Sequence, residues 1–282
     1  MKIVILGGTG LIGRALQQTL AHDVESYGRT VFSSAQTLEK ALRGCEVVIN
    51  LAGANIGARW SERYKQEIWD SRIETTRLLA DVLLTMPEPP KRLVNASAIG
   101  FYPQTQCTAP FDETQTQSGN DFLAQLSVAW EAQAQRVQDT IPTVITRFGV
   151  VLSPKGGALA KMLPAFKLGL GGPVAGGEQC FSWISLPDLC RAIDFILQRP
   201  EIDGALNLCA PTPLQQKQFA KVLASTLHRP CFVPLPMWQL KLMFGEGAQV
   251  LTHSSAVLPT RLQALGFEFE HPTAKSALNA IL

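Results

Sequence analysis

The sequence predicts an α/β protein: a Rossmann-type doubly wound parallel sheet followed by a smaller mixed C-terminal lobe. Three observations predict it. Short apolar runs suited to buried parallel strands alternate with stretches of helical periodicity through residues 1–150. The first run, residues 3–6, leads straight into Gly7-Gly8-Thr9-Gly10-Leu11-Ile12-Gly13, after which Leu11, Ile12, Ala15, Leu16 and Leu20 recur at helical spacing. The chain then changes character after Val151. Residues 153–177 are rich in glycine, and Pro211, Pro213, Pro230, Pro234 and Pro236 punctuate the C-terminal third.

In chain order, strands are expected at 3–6, 24–27, 46–51, 93–96 and 143–147. Helices are expected after Gly10, at 36–42, at 61–84 and at 121–138. Ser61 is a suitable cap for the third of these, and Met86-Pro87-Glu88-Pro89-Pro90 stops it, because proline lacks the N–H that a helix needs. A strand at 183–185, a helix at 188–197 and a strand at 205–208 return to the first lobe, with Trp183 at the junction. The expected domains are therefore 1–150, joined by about 183–208, and a substrate lobe from 151–282. Its glycine-rich opening, with Lys155, Lys161 and Lys167, reads as a mobile flap.

The glycine spacing points to a dinucleotide. Gly7 permits a tight turn, Gly10 leaves room for a pyrophosphate, and Gly13 lets the helix approach the strand. Unpaired N–H groups at the helix start, around Thr9, Leu11 and Ile12, then face the phosphates. An NAD site of this type places a carboxylate at the end of the second strand. Here that end reads Tyr27-Gly28-Arg29, and Asp23 and Glu25 come too early. Gly28 leaves space and Arg29 offers a planar cationic donor to a 2′-phosphate, so the expected cofactor is NADP(H).

Composition narrows the classes further. An apolar content of 46% suits a globular chain with a sizeable core, and the net charge of +2, without a basic run, argues against nucleic acid. No window approaches a membrane span, and the first apolar run is too short for a signal segment. The cysteines Cys45, Cys107, Cys180, Cys190, Cys209 and Cys231 never form C-x-x-C and are expected as reduced thiols of a cytoplasmic protein. His22, His228, His253 and His271 are too dispersed for a metal site, and none is expected.

Taken together, the glycine turn, Arg29 and Asn50-Leu51-Ala52-Gly53 resemble an extended short-chain dehydrogenase/reductase. Lys65-x-Glu67, Ser71-Arg72-x-x-x-Thr75, Ser97-Ala98-x-Gly100-x-Tyr102, Trp130-Glu131, Leu168-Gly169-x-Gly171-Gly172-Pro173, Trp183-Ile184 and Leu265-Gly266-Phe267 narrow the resemblance. They are similar to an atypical "epimerase family" subgroup of SDR39U1-like proteins. Its own C-terminal domain corresponds to about 234–282. The resemblance implies that Leu51, Ala52 and Gly53 line the ribose edge, that Glu67 and Arg72 face the cofactor, and that Val151 meets the nicotinamide amide.

The catalytic pattern of the wider family is absent. There a tyrosine serves as acid/base, with a lysine four residues on lowering its pKa. The three tyrosines here, Tyr27, Tyr64 and Tyr102, are followed at that distance by Val31, Ile68 and Gln106. The nearest substitutes are Ser97, at the position that polarises substrate, and Tyr102 as proton donor. Trp130 reads as core or pocket wall, and Glu131 as a solvated face or an ion pair. Two functions are compatible with this pattern. One is an NADP(H)-binding oxidoreductase or epimerase-like protein acting on a small or nucleotide-linked substrate. The other is a non-catalytic NADPH sensor. The oligomeric state is left open.

Overall fold

The computed structural model describes all 282 residues. Its first lobe alternates β1 (Lys2–Leu6), α1 (Leu11–Thr19), β2 (Asp23–Tyr27), α2 (Ala35–Leu42), β3 (Val47–Asn50), α3 (Glu62–Thr85), β4 (Arg92–Ala98), α4 (Phe122–Gln135) and β5 (Thr143–Phe148). Next come β6 (Val150–Leu152), α5 (Gly157–Lys167), β7 (Cys180–Phe181), β8 (Trp183–Ser185), α6 (Leu186–Leu197), β9 (Gly204–Leu208), β10 (Leu214–Gln215) and α7 (Gln216–Thr226). The chain ends with α8 (Met237–Phe244), α9 (Gln249–Thr252), α10 (Thr260–Ala264) and α11 (Ala274–Ile281). No helix is long and apolar enough to cross a membrane.

Six strands form one parallel sheet in the order β2-β1-β3-β4-β5-β9. Successive strand residues point to opposite faces, and both faces are apolar, as a sheet covered by helices requires. Ile3, Ile5, Ile49 and Val94 meet Leu16 of α1 and Ile193 of α6. Val4, Leu6, Val48 and Leu93 meet Leu38 of α2, Leu79 of α3 and Ala134 of α4. The strand order reverses beside β1, so the cleft for a ligand opens at the carboxyl ends of β1 and β3.

The second lobe differs from the expectation in one way, and its tail packs against both lobes. The glycine-rich stretch is not a loose flap: it contains α5, because Leu159, Leu163 and Phe166 recur at helical spacing and bury against Phe219 and Leu223 of α7. The tail, in turn, has no core of its own. Leu262 and Phe267 join the core beneath the main sheet, whereas Ala274, Ala277 and Leu278 complete the core of the second lobe.

The cysteine reading needs one correction. Cys107 and Cys180 are joined in a disulfide with their Cα atoms 5.2 Å apart. The pair is 73 residues apart in sequence, so spacing alone carries no sign of it. The other four cysteines are free.

Candidate functional site

At the carboxyl end of β1 the chain turns under tight constraint. Gly7 has φ +89°, and a Cβ there would lie 2.7 Å from Leu51 O. A Cβ on Gly13 would lie 2.6 Å from Gly7 O. Both contacts are with backbone, so a side chain has nowhere to go. Gly7 N donates to Tyr27 O at 2.8 Å and Gly10 N to Gly7 O at 3.0 Å, which closes the turn between β2 and β3. Gly10 caps α1 without any side-chain acceptor for the first N–H groups. An uncapped helix start facing a cleft is suited to an anion. The cradle thus fits a dinucleotide pyrophosphate, with Thr9, Leu11 and Ile12 at its lip.

The adenosine end is open. Gly28 backs onto Thr9, and a Cβ there would lie 3.5 Å from Thr9 Cγ2. The Arg29 side chain is 74% exposed and pairs with Glu67 at 3.3 Å. An exposed pair of this kind contributes about 0–1 kcal/mol, so Arg29 is free to exchange its partner.

On the other wall, Asn50 fixes the strand end. Its Nδ2 donates to Asn95 Oδ1 at 2.7 Å and to Thr76 Oγ1 at 3.1 Å, and its Oδ1 accepts from Ala52 N at 3.2 Å. This holds Leu51, Ala52 and Gly53 beside the cradle. Arg72 lies against Gly53, where a Cβ would sit 2.9 Å from its Cζ. Its guanidinium donates to Ala54 O at 3.0 Å and Ile68 O at 3.1 Å and stacks 5.2 Å from the Trp130 ring. No carboxylate pairs with it, and burial pulls its pKa down to about 10. Glu67 and Arg72 therefore engage different partners, the first outward to Arg29 and the second inward beneath Gly53.

Across the cleft, Val151 lies in β6, paired in register with Ile184. The entry to α5 rests on the glycine turn: a Cβ on Gly156 would lie 3.3 Å from Leu11 Cδ1. Lys161 of α5 donates to Gly57 O, tying the second lobe to the loop after β3.

The expected catalytic pair sits elsewhere. Ser97 is 2% exposed and donates to Glu131 Oε1 at 2.6 Å. Glu131 holds Arg147 through two bonds of 2.8 Å, and Arg147 Nη1 donates to Tyr102 Oη at 3.0 Å. Tyr102 is 0% exposed, and its hydroxyl donates to Asn207 Oδ1 at 2.9 Å. Burial pushes the phenol up to about 12 against the pull of Arg147. The expectation of Ser97 and Tyr102 as polarising and proton-donating groups is therefore corrected. Alternation along β4 turns Ser97 toward α4, and the half-buried residue at the strand end is Ala98, which carries no hydroxyl. A shallow cleft of about 360 Å³ beside Glu131 and Arg147 is lined by Phe101 and Val128 and lies apart from the glycine turn.

Sequence reasoning missed Arg147 and Asn207. The signal was available: Arg147 is a charged residue in a buried strand, and Asn207 a polar one between two leucines. It also passed over His253, whose Nδ1 lies 3.1 Å from Asp121 Oδ2 at the start of α4.

A model of the NAD dependent epimerase/dehydratase family matches residues 3–209, and a domain of unknown function, DUF1731, matches 235–281. The chain belongs to the NAD dependent epimerase/dehydratase family. Within the epimerase family, the human epimerase family protein SDR39U1 is 36% identical over 293 residues, covering 100% of both chains. A chloroplastic SDR39U1 homolog of Arabidopsis thaliana is 36% identical over 303 residues, covering 100% of this chain and 87% of its own. The crystal structure of human SDR39U1 with NADPH superposes with a TM-score of 0.92, covering 100% of this chain and 99% of that one. A nucleoside-diphosphate sugar epimerase of Corynebacterium glutamicum superposes with a TM-score of 0.77 at 27% identity, covering 100% of this chain and 58% of that one. One of these relatives is chloroplastic, so family membership does not carry the cytoplasmic expectation.

Proposed function

We propose that this chain binds NADP(H) and performs hydride-transfer chemistry of the epimerase family on a small carbonyl or nucleotide-linked substrate. The observation that carries the reading is the glycine turn: backbone fills the space of a side chain at Gly7 and Gly13, and Gly10 leaves the uncapped start of α1 uncovered. Arg29 then turns from Glu67 to the 2′-phosphate, Leu51 to Gly53 flank the ribose, and Arg72 holds the loop beneath it. Val151 offers its backbone to the nicotinamide amide. The cofactor supplies the hydride, and the protein supplies placement and exclusion of water. The NADPH-bound human relative supports this choice of cofactor.

Fluorescence titration with NADPH and with NADH tests the reading. Wild type prefers NADPH. Arg29→Ala weakens NADPH by about 1.5–3 kcal/mol, the worth of a charge-assisted contact, and leaves NADH unchanged. Equal affinity of mutant and wild type for NADPH removes Arg29 from the phosphate, and failure of both cofactors to bind removes the proposal.

A second reading, a non-catalytic NADPH sensor, is favoured by the burial of Ser97 and Tyr102. NADPH oxidation across a panel of carbonyl compounds and nucleotide sugars separates the two. Turnover that survives Tyr102→Phe supports an enzyme with its proton source elsewhere, and cofactor binding without any turnover supports the sensor.

A further inference from the structure

Residues 254–257 form a short extended piece gripped from two sides. On one side is the loop after Tyr102. Thr105 N donates to Ser254 O at 2.7 Å, Ser254 Oγ donates to Thr105 O at 2.6 Å, and Phe111 N donates to Ala256 O at 2.9 Å. On the other side are β7 and the start of β8. Cys180 N donates to Ser254 Oγ at 2.9 Å, Ser182 Oγ donates to Ser255 O at 2.8 Å, and Val257 N donates to Ser182 Oγ at 3.0 Å. The disulfide between Cys107 and Cys180 joins the two sides beside the gripped piece.

Two features set this bond apart from a permanent brace. Ser255, Ala256 and Val257 are buried and held by hydrogen bonds that involve neither sulfur, so the bond reinforces a grip that other atoms already make. Cys180 is 3% exposed, whereas Cys107 is half-buried, so a small thiol approaches the bond from the Cys107 side. The same chain keeps four free thiols, of which Cys231 is half-buried. Several unpaired thiols fit a reducing setting, where a disulfide is transient and redox-sensing.

We infer that Cys107 and Cys180 form a redox-sensitive clasp, worked by exchange with a low-molecular-weight thiol/disulfide couple, that fastens the C-terminal segment to the body of the protein. In opening, the thiolate of a small thiol such as glutathione attacks Cys107 Sγ. The S–S bond breaks, and Cys180 leaves as a thiolate that takes a proton. A second small thiolate attacks the small-thiol sulfur of the mixed disulfide and releases Cys107, which is protonated in turn. Two small thiols become one small disulfide, and the protein gains two thiols. Closing runs the same steps in reverse.

The clasp governs the segment between the bridge Val174–Leu235 and Ser254, which includes α8. That segment touches the loop after β3 where Trp60 N donates to Phe244 O at 3.0 Å, and reaches α3 where Lys65 pairs with Glu246 at 2.8 Å. Opening the clasp loosens this contact beside the cleft.

Hydrogen exchange on the full chain, read by mass spectrometry without cofactor, tests the inference independently of NADPH binding. One sample is treated with glutathione disulfide and one with glutathione, and thiol alkylation of each is mapped by peptide. Expected are a disulfide-linked Cys107–Cys180 peptide pair after the glutathione disulfide, and at least tenfold slower exchange at Phe111, Val257 and α8 in that sample. Cys107→Ser and, separately, Cys180→Ser exchange at the fast rate in both. If both cysteines stay open to alkylation in the treated protein, or the bond forms and exchange is unchanged, the clasp is overturned.

Discussion

At the scale of single residues, the buried pair Glu131 and Arg147 dominates the polar interior. Their side chains are 5% and 7% exposed, and the pair joins Ser97, Tyr102 and Asn207 into one network. Desolvating two charges is costly, and the bidentate geometry offsets this only while both are present. Glu131→Gln strands the guanidinium, and urea unfolding is expected to show a loss of about 3–5 kcal/mol. The double change Glu131→Met with Arg147→Met is expected to recover most of it. A second residue, His253, sets a pH limit. Burial lowers its pKa against the opposing pull of Asp121. The unfolded chain takes up a proton near the ordinary value of about 6.5, before the folded chain does. Stability is therefore full above that pH and falls on acidification, through the window between the two values. Melting temperatures between pH 7.5 and 5.5 are expected to fall less steeply in His253→Gln, and parallel slopes would exclude His253 as the cause.

At the scale of elements, the glycine turn carries the clearest prediction. Gly13→Ala places a methyl 2.6 Å from Gly7 O and 2.7 Å from Gly8 Cα, so α1 must move away from β1. NADPH affinity is expected to fall at least tenfold in titration, more than the protein loses in thermal stability. This turn was legible because its requirement is local: strand, glycine spacing and helix lie within residues 2–19. The third helix was legible for the same reason, with Ser61 accepting from Tyr64 N at 3.2 Å as its cap. By contrast, α5 was obscured by Gly156, Gly157 and Pro164, since its burial against α7 is a tertiary fact that local propensity does not carry. Ser97 was misjudged at the same level. Its position after a strand is visible in sequence, but the side it faces depends on strand alternation and on a partner 34 residues away. The disulfide, with one partner in the loop after Tyr102 and the other in β7, left no local trace.

At the scale of the whole molecule, the lobes are interleaved. Leu262 and Phe267 lie under the main sheet, and Glu113, in the loop before α4, accepts from Arg261 N at 3.1 Å and Asn207 N at 2.9 Å. The tail that family models treat as a separate domain is thus structural for the first lobe. A chain ended at residue 233 is expected to lose cooperative unfolding, or to unfold well below the full protein in calorimetry. Intact cooperativity and stability would show a dispensable tail. The sheet order has one more consequence, for the nascent chain. β5 is complete at Phe148, but its neighbour β9 begins only at Gly204, so the growing polypeptide carries an open strand edge for more than fifty residues of synthesis. At ordinary elongation rates of about 5–20 residues per second, that edge stays available to wrong partners for several seconds.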